Sequence, residues 1–579
     1  MATSIVDAES ILAIEIGSVQ TRAALFDVVE GRYHFVASGS APTTVNAPFR
    51  DAGECVHLAI EDLQSVTGRI LLDKDSHIIL PGKADGSGID RMAITFSAGP
   101  VLQVINAGLL DDVSLESGMH LAATTNARIV ETFGLSDARS TDQKVDAILK
   151  AEPDLIILTG GTEQGASRSV LKMVELIMMT CRILPEDKRP EIIYAGNRVL
   201  GKRIKEILDK TASVHVAPNV RPSIDLEDIS PAEAILTGVV TRIRSRQIGG
   251  LQPLGQRCSA PPLPAPQAFG RMVRFLSEIY NPAKGVMGVD VGAESTILSV
   301  AVDGSLNNKV FPVGLGSTIL RILDHYEPAE ILQWLPLPLN EESLLSYLWQ
   351  KSISPASLPI DQTAMVIEQA VTRLILRHAM QTVSEQWQKD VDNELAFEPI
   401  LVSGAVLRNA PSPAQSLLML LDGLQPIGIS TLILDQNDLT ASLGAIAAFN
   451  PVLPVQVLES GAFLNLGTVI CPVSRARLGT HILNVRLEHE NGLKENFQIK
   501  QGSIVSLPLR LGQTANIHLD ALRGTEIDPQ GSRGGRFKIV GGICGAVIDA
   551  RGRPIQLPKE DARRRDLLKK WQTSLENAL

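Results

Sequence analysis

The chain has 579 residues, enough for three or four domains at about 150 residues each. Its 54 Lys and Arg against 64 Asp and Glu give a net charge of −10, which argues against binding to nucleic acid. Hydrophobic residues make up 44% and charged residues 20%, so the chain has material for several cores and is not disordered. No apolar run reaches the roughly 20 residues of a membrane-spanning helix, and we expect no membrane partner.

The cysteines argue against a zinc site or a disulfide framework. There are five, widely spaced and without a C-x-x-C pair, whereas such sites need paired spacings. The N-terminus lacks a basic segment followed by an apolar run, so nothing indicates secretion. We therefore expect a cytoplasmic protein.

The chain begins with a strand–turn–strand pattern. Residues 11–27 contain two apolar runs around Gly17-Ser18, and Gly followed by Ser is typical of a tight turn. We assign residues 10–90 to a first lobe built on this hairpin.

Residues 91–250 alternate short apolar runs with helical patterns. Strands of about five residues separated by helices indicate a parallel α/β sheet, and we expect an inserted domain here. The predicted strands are Met92–Phe96, Gln103–Asn106, Arg128–Thr132, Asp154–Thr159, Glu191–Ala195 and Ser213–Ala217. The predicted helices are Asp142–Ala151, Ser167–Cys181, Leu200–Lys210 and Pro231–Arg246.

Residues 251–268 contain five prolines and are predicted to form a stiff, extended linker or a surface crossing. We assign residues 269–450 to a second lobe, with a helix at Phe269–Tyr280, a strand–turn–strand unit at Val286–Val302 and a mostly helical stretch over 340–393.

Residues 451–579 are predicted to form a β-rich C-terminal domain. Its predicted strands are Gln456–Val473, His481–His489, Asn496–Leu507, Asn516–Leu522 and Arg536–Ile548, followed by a terminal helix at Lys559–Leu579.

Two segments share a pattern that suits a nucleotide phosphate. Residues 13–21 and 288–296 each place an acid, Glu15 or Asp290, two residues before a glycine, Gly17 or Gly292. Hydroxyl residues follow each glycine: Ser18, Thr21, Ser295 and Thr296. Glycine lets a backbone approach a phosphate, amides and hydroxyls donate to its oxygens, and a carboxylate can hold Mg²⁺. A β-hairpin with a Gly-Ser turn is the ordinary alternative for either copy alone.

A third element at residues 399–409 is a strand that enters a turn of small residues and then a helix. The small side chains of Gly404 and Ala405 would let an adenine ring lie across the turn. An ordinary corner between a strand and a helix is the alternative. Arg22 and Arg408 could pair with phosphates, or could equally be solvated.

The order of these elements resembles the sugar kinase, heat-shock protein and actin ATPase superfamily. More specifically, the chain resembles the MutL family, the accessory proteins associated with coenzyme-B12-dependent glutamate (methylaspartate) mutase. The segments that carry the resemblance are residues 15–18, 154–163, 194–197, 219–222, 288–292 and, in longer members, 541–554.

This resemblance implies a two-lobed, actin-like α/β fold with RNase-H-like lobes, an inserted parallel α/β domain and a C-terminal β-rich domain. It implies ATP and Mg²⁺ between the Gly17 and Gly292 turns, with Gly404 and Ala405 near adenine. Asp290 would orient the attacking water and Glu15 would serve as the metal-side carboxylate, so that both acids are candidate catalytic and metal residues. The expected partner is a cobalamin-dependent mutase that the chain reactivates or assists.

One departure weakens the expected ATPase activity. The superfamily usually has Asp where this chain has Glu15, and the extra methylene moves the carboxylate about 1.5 Å further. A carboxylate at this distance can still reach a water on Mg²⁺, so hydrolysis stays open, with weak or absent turnover as one expectation. Two alternatives remain open: a scaffold that does not hydrolyse ATP, and a small-molecule kinase with Asp290 as base.

The inserted sheet offers a second candidate site. Small or polar turns follow its strands at 97–99, 160–163, 196–197 and 218–219, and ligands bind at the carboxyl edge of open parallel sheets. Gly160, Gly161 and Thr162 precede a predicted helix and could receive an anion. Tight turns between strands and helices are the more ordinary reading, and His120 and His215 are expected to be structural.

Overall fold

The computed structural model describes residues 9–163, 165–280, 284–390, 396–527 and 534–576. The described residues divide into two compact units. One comprises the chain up to Ala268 with Asn307–Pro312 and Gly444–Pro451, and the other comprises Phe269–Leu306, Val313–Leu443 and the chain from Val452 onward. None of the helices in these ranges is both long and apolar enough to cross a bilayer.

The described residues up to Ala268 contain ten strands and seven complete α-helices. The strands are β1 (Ile11–Ile16), β2 (Gln20–Val29), β3 (Arg32–Pro42), β4 (Arg91–Phe96), β5 (Leu102–Ala107), β6 (Ala127–Phe133), β7 (Leu155–Leu158), β8 (Glu191–Tyr194), β9 (Val214–Val216) and β10 (Leu263–Pro264). The helices are α1 (Ala52–Thr67), α2 (Glu116–Ala122), α3 (Thr141–Ala151), α4 (Ser167–Ile183), α5 (Gly201–Leu208), α6 (Ser230–Gln247) and α7 (Leu251–Gly255).

The first sheet has the strand order β10-β4-β1-β2-β3. Strand β1 runs antiparallel to β2 and parallel to β4. Helix α1 packs its buried side on this sheet, because Val56, Ile60 and Leu63 recur at helical spacing and enter the core shared with Leu12 and Ile14. The Asp51 side chain caps the helix at its N-terminus by accepting from the Gly53 amide.

The inserted sheet has the all-parallel order β6-β5-β7-β8-β9. Its five strands and the helices α3 to α6 match predicted ones, whereas α2 was not predicted and one predicted strand lies elsewhere. Strand β4, expected to belong to the insertion, pairs with β1 in the first sheet. Met92, Ile94 and Phe96 enter the same core as the β1 side chains, and all six residues of β4 pair in register with β1.

Residues 251–268 do not form an extended chain throughout. The segment contains α7, β10 and the start of the next helix. Its prolines occupy positions where no backbone N–H is needed: Pro253 and Pro266 lie in first turns of helices, and Pro264 lies in the short edge strand β10. The same residues that suggested an extended chain are therefore compatible with regular structure.

The remaining strands are β11 (Gly285–Val291), β12 (Thr296–Val302), β13 (Ser305–Phe311), β14 (Phe397–Ser403), β15 (Gly428–Leu434), β16 (Leu464–Cys471), β17 (Val473–Ser474), β18 (His481–His489), β19 (Lys494–Lys500), β20 (Ile504–Leu507), β21 (Thr514–Ala521), β22 (Thr525–Glu526), β23 (Gly534–Val540) and β24 (Ala546–Asp549). The helices are α8 (Ala265–Ile279), α9 (Pro328–Leu332), α10 (Glu341–Ile353), α11 (Gln362–Asp390), α12 (Ala405–Arg408), α13 (Pro413–Gly423), α14 (Thr440–Ile446), α15 (Val452–Glu459) and α16 (Asp561–Glu576).

The largest sheet has the order β13-β12-β11-β14-β15-β16-β24-β20. Strand β11 is antiparallel to β12 and parallel to β14. The five strands from β13 to β15 therefore repeat the arrangement of the first sheet, and both sheets have the RNase-H-like topology. Each lobe places its first hairpin turn at the carboxyl end of its first strand.

The C-terminal region is rich in strands, as predicted, but its first predicted strand is wrong at its start. Residues Val452–Glu459 form α15, with Leu453 and Val457 buried one helical turn apart. Strands β16, β24 and β20 continue the lobe sheet, whereas β19-β18-β21-β23 form a separate antiparallel sheet.

Candidate functional site

The two hairpin turns predicted as phosphate loops have the same backbone geometry. The Gly17 amide donates to the Gln20 carbonyl at 3.1 Å, and the Gly292 amide donates to the Ser295 carbonyl at 3.0 Å. A Cβ atom on Gly17 would lie 2.5 Å from the Gln20 oxygen, and one on Gly292 would lie 2.9 Å from the Ser295 oxygen. A side chain at either position would collide with the turn, so both glycines are required by the local backbone.

The acids before these turns have different neighbours. In the second lobe, Ser403 Oγ donates to Asp290 Oδ1 at 2.5 Å. In the first lobe, Glu15 lies opposite Arg22 in the β1–β2 register, and Arg22 Nη1 lies 4.0 Å from Glu15 Oε2. A serine hydroxyl therefore fixes one carboxylate, whereas a guanidinium offsets the charge of the other.

Thr95 is the positional counterpart of Ser403. The β1–β4 register pairs Glu15 with Thr95, just as the β11–β14 register pairs Asp290 with Ser403. Thr95 is 1% exposed, and its hydroxyl oxygen has no hydrogen-bond partner within the described ranges. The hydroxyl is conserved in position between the lobes, but only the second lobe uses it to orient the acid.

The two predicted threonines are buried, unlike the predicted serines. Thr21 Oγ1 lies 2.9 Å from Thr43 Oγ1 and 3.2 Å from Cys55 Sγ. Thr296 Oγ1 donates to the Val313 carbonyl at 2.9 Å. Both side chains are 0% exposed, so the structure places them beneath the turns as supports. Ser18 and Ser295 are partly exposed in the turns themselves.

Sequence reasoning missed the segment that braces the first turn. Thr43 follows β3, and its hydroxyl donates to the Gly17 carbonyl at 2.8 Å while its amide donates to the Val19 carbonyl at 2.9 Å. The only sequence feature that could have indicated this brace is the pair of adjacent threonines, Thr43 and Thr44, directly after a strand. A pattern confined to the first hairpin does not include these residues.

A glycine-rich loop after β13 braces the second turn. The Leu315 amide donates to the Gly292 carbonyl at 3.0 Å, and the Gly316 amide donates to the Ala293 carbonyl at 2.7 Å. Thr318 Oγ1 donates to the Glu294 carbonyl at 2.8 Å. The run Gly314-Leu-Gly-Ser-Thr318 was the sequence signal for this loop, and it was missed because it lies outside the hairpin.

The corner at residues 399–409 contains a glycine that no other residue replaces without strain. Gly404 has a φ of +125°, and a Cβ there would lie 2.5 Å from the Val291 carbonyl oxygen. Ala405 follows as the exposed first residue of α12. Arg408 forms an ion pair with Asp438, so its charge has a partner within the protein.

The small residues of the inserted sheet have packing roles. Gly160 and Gly161 have φ values of +125° and +78°. A Cβ on Gly160 would lie 2.7 Å from Leu109 Cγ, and one on Gly196 would lie 2.3 Å from the Gly160 oxygen. The loops after β5, β7 and β8 are therefore pressed together. Thr162 is partly exposed beside them, and Gln164 lies outside the described residues.

Two further expectations about the insertion are settled by contacts. Residues 97–99 follow β4, so their turn is not on the edge of the inserted sheet. His120 Nδ1 lies 3.0 Å from Glu227 and His215 Nε2 lies 2.7 Å from Glu191, which supports the structural reading of both histidines.

The family model described as MutL protein matches residues 11–461. The chain belongs to the MutL family. Protein MutL from Clostridium tetanomorphum is 24% identical to it over 220 residues, which is 37% of this chain and 45% of that protein. The match thus spans less than half the length of this curated relative.

Solved structures similar to this chain include the diol dehydratase-reactivating factor in nucleotide-free form, at 10% identity and a TM-score of 0.30, covering 76% of this chain and 99% of that one. The activator of 2-hydroxyisocaproyl-CoA dehydratase from Clostridium difficile with bound ADPNP gives 10% identity and a TM-score of 0.26, covering 77% and 97%. Xylulose kinase from Bifidobacterium adolescentis gives 10% identity and 0.30, covering 80% and 96%.

Proposed function

We propose that this chain binds ATP–Mg²⁺ and acts as an actin-like accessory factor that reactivates or assists a coenzyme-B12-dependent mutase. The observation that carries the proposal is the repeated hairpin: two glycine turns with the same hydrogen bond, each at the end of the first strand of an RNase-H-like lobe and each preceded by an acid. Membership of the MutL family supports the mutase as partner.

The residues present fit the proposed ligand. Partly exposed Gly17, Ser18, Gly292 and Ser295 can offer amides and hydroxyls to phosphate oxygens. Gly404 and Ala405 form the proposed adenine corner. The carboxylates of Glu15 and Asp290 offer the hard oxygen ligands that Mg²⁺ prefers, and the ion would offset phosphate charge when bound.

Asp290 is the better candidate for an acid that orients water. Its Oδ1 accepts a hydrogen bond from the Ser403 hydroxyl, which fixes the orientation of the carboxylate. Thr21 and Thr296 act in this proposal as supports of the turns. Gly160, Gly161 and Thr162 are not needed for the ATP site.

ATP would act by shifting a conformational equilibrium. A nucleotide favours whichever conformation binds it more tightly, and the partner enzyme would bind one conformation better than the other. An exchange of a damaged cofactor on the mutase would be the output. The chemistry of that exchange would belong to the mutase.

A scaffold that binds ATP without hydrolysing it is the second candidate. Arg22 lies near Glu15, and a guanidinium beside the metal-side carboxylate competes electrostatically with a cation. Together with the longer side chain of Glu15, this contact favours weak or absent turnover. Binding of ATP with no release of phosphate over hours would establish the scaffold.

Titration calorimetry with ATP–Mg²⁺ tests the binding site. Asp290→Asn removes one charge beside the second turn, and Asp303→Asn removes the same charge at the far end of β12, which spans seven residues. We expect wild type and Asp303→Asn to bind alike and Asp290→Asn to bind at least about tenfold more weakly. Equal affinity in all three proteins would remove Asp290 from the site.

Capture of the purified candidate mutase, with and without ATP, tests the partner. The expected result is retention that changes when ATP is added, and loss of that change in Asp290→Asn. Retention of the mutase that does not change when ATP is added would show that binding of the partner does not depend on the ATP site.

A further inference from the structure

Glu15 lies between two polar side chains in a row across the first sheet. Strand β1 is flanked by β2 and β4, and the registers pair Glu15 with Arg22 on one side and with Thr95 on the other. Register partners on neighbouring strands project from the same face of a sheet, and the strands lie about 5 Å apart. The carboxylate of Glu15 therefore has a guanidinium on one side and a hydroxyl on the other.

The second lobe has the same row with one difference. The registers pair Asp290 with Ile297 on β12 and with Ser403 on β14. Ile297 takes the place that Arg22 has in the first lobe, and it offers no polar atom to the acid. Asp290 accepts a hydrogen bond from Ser403 at 2.5 Å. Where the opposite neighbour is apolar, the acid is thus bonded to the hydroxyl.

The hydroxyl of the first lobe is buried without a partner. Thr95 is 1% exposed, and its Oγ1 makes no hydrogen bond to any described residue. A buried polar group left unsatisfied costs free energy, and native structures contain few of them. Glu15 is instead paired with Arg22, whose Nη1 lies 4.0 Å from Glu15 Oε2. A partner that Thr95 gains in another state of the site accounts for its position.

We propose that Glu15 has two positions and that Thr95 is the positioning residue for the second. In the first position the carboxylate faces Arg22. In the second it accepts a hydrogen bond from Thr95 Oγ1, as Asp290 accepts one from Ser403. ATP–Mg²⁺ selects the second position, because a carboxylate released from a guanidinium offers its full charge to a cation. This inference rests on the ATP–Mg²⁺ site proposed above.

Arg22 then sets the affinity for the nucleotide without touching it. A ligand shifts an equilibrium only by its different affinity for the two states, so part of the binding free energy of ATP–Mg²⁺ is spent in separating Glu15 from Arg22. Removal of Arg22 should therefore tighten binding. Removal of an arginine that contacts phosphate would weaken it.

Thermal melting of the nucleotide-free protein tests the two positions. Arg22→Ile gives the first lobe the row of the second, and Arg22→Met, which keeps the length of the side chain, gives a second version of the same test. Thr95→Val should leave the melting temperature of wild type unchanged or higher, since the hydroxyl has no bond to lose. In either Arg22 variant it should lower melting by about 2 °C, because Glu15 is then bonded to Thr95.

This difference is a coupling between two side chains on opposite sides of Glu15. It should disappear when Glu15→Ala is added to each protein. A Thr95→Val change that lowers melting equally with and without Arg22 overturns the proposal, as does a coupling that survives Glu15→Ala.

Calorimetric titration tests the selection by the nucleotide. With ATP and Mg²⁺, Thr95→Val should bind about fivefold more weakly than wild type, Thr95→Ser should bind like wild type, and Arg22→Ile should bind more tightly. With ATP and no Mg²⁺, Thr95→Val should match wild type. Thr159→Val is the control, because Thr159 is 0% exposed and donates to the Ser114 carbonyl at 2.7 Å; it should lower melting and leave the affinity unchanged.

Weaker binding by Thr95→Val without a loss of stability supports the positioning role, since a merely structural hydroxyl would behave like that of Thr159. Equal affinity of Thr95→Val and wild type, or weaker binding by Arg22→Ile, overturns the proposal and leaves the ATP site standing. A wild type that binds no ATP overturns the proposed function and the selection by nucleotide together. The melting experiment then still decides whether Glu15 has two positions.

Discussion

The two lobes share a hairpin but equip it differently. Both turns close with the same glycine hydrogen bond, yet Ser403 holds Asp290 whereas Arg22 faces Glu15. The equivalent hydroxyl in the first lobe, on Thr95, is buried without a partner in the described chain. The backbone requirement of the turn is therefore retained in both lobes, while the side chains that orient the acid differ.

The lobes also differ in how their sheets are elaborated. The first is interrupted between β4 and β10 by the inserted sheet, whose chain returns through α6. The second is extended beyond β15 by β16, β24 and β20. The insertion shares a core with the first sheet, because Val104 and Ile157 cluster with Leu12. The extension instead forms a core with the C-terminal sheet, in which Ile470 and Ile548 cluster with Ile517.

The prediction with the largest expected effect tests whether the extension, strands β16, β24 and β20, is an integral part of the second lobe. Arg551 is 4% exposed, pairs with Asp422 at 2.6 Å and with Asp549 at 2.8 Å, and lies over the Trp571 ring. Its charge helps to hold the pKa of Asp549 below the usual range against the opposing effect of burial. Arg551→Met removes one of two guanidinium partners from each of two buried carboxylates, since Arg373 still pairs with Asp422 and Arg553 with Asp549. It should cost about 3 kcal/mol of unfolding free energy, at the low end for a broken buried ion pair.

Urea denaturation measures this loss. Arg563→Met is the control, since Arg563 is exposed on the same helix, α16, that carries Trp571, and its change should stay within about 0.5 kcal/mol. Equal stability of Arg551→Met and wild type would mean that the extension is not part of the lobe core.

The next prediction sharpens the contrast between the two acids. If the chain hydrolyses ATP, Asp290→Asn should slow single-turnover hydrolysis by about 100-fold, because an oriented carboxylate that activates water contributes at least that much. Glu15→Gln should slow it by less than about tenfold, since Arg22 already offsets its charge. The reverse ranking would assign the water-orienting role to the first lobe.

The stability of the first unit, which contains Glu233, Asn308 and Gln267, should respond to pH. Burial raises the pKa of Glu233 on α6 to about 6, against hydrogen bonds from Asn308 and Gln267 that lower it. Because the folded pKa lies above the unfolded one, the stabilisation from neutral Glu233 is present below about pH 4.5 and is lost as pH rises through 6.

Glu233→Gln should be insensitive to this titration. The unfolding free energy of wild type relative to Glu233→Gln should fall by about 2 kcal/mol between pH 4.5 and 7. Denaturation at both pH values measures the difference, and a constant difference would show that Glu233 does not titrate in the folded protein.

The prediction with the smallest expected effect compares the two threonine hydroxyls that brace the turns, those of Thr43 and Thr318. Thr43→Val removes the hydroxyl that donates to the Gly17 carbonyl and should cost about 1 kcal/mol. Thr318→Val should cost a similar amount, but ATP affinity should fall less, because two backbone amides from its loop still hold the second turn. Thermal melting and calorimetry measure the two effects, and a larger affinity loss in Thr318→Val would contradict this account.

Sequence patterns predicted the features that lie within a short stretch of chain. They missed the features that depend on contacts between residues far apart in the sequence. The hairpins at Gly17 and Gly292 were found because each pattern lies within about ten residues. The pairing of β4 with β1 was missed because it depends on a shared core rather than on the strand's own pattern. Prolines at 251–268 suggested an extended chain, since their tolerance in first turns of helices is not visible without neighbours.

The same limit applies to the residues of the candidate site. The acids and glycines were predicted by residue type and spacing. The burial of Thr21 and Thr296 was not, because it depends on Thr43 and Cys55 in one lobe and on Val313 in the other. Ser403 was placed in the adenosine corner, and its role in holding Asp290 depends on strand pairing across 113 residues.

The central claim is that the two turns serve one nucleotide. Calorimetric titration of wild type, Gly17→Ala and Gly292→Ala with ATP–Mg²⁺ tests it most directly, since it reports stoichiometry and affinity together. The account predicts one ATP per chain, with the affinity reduced by either substitution. Two ATP per chain, or an affinity that responds to only one turn, would contradict it.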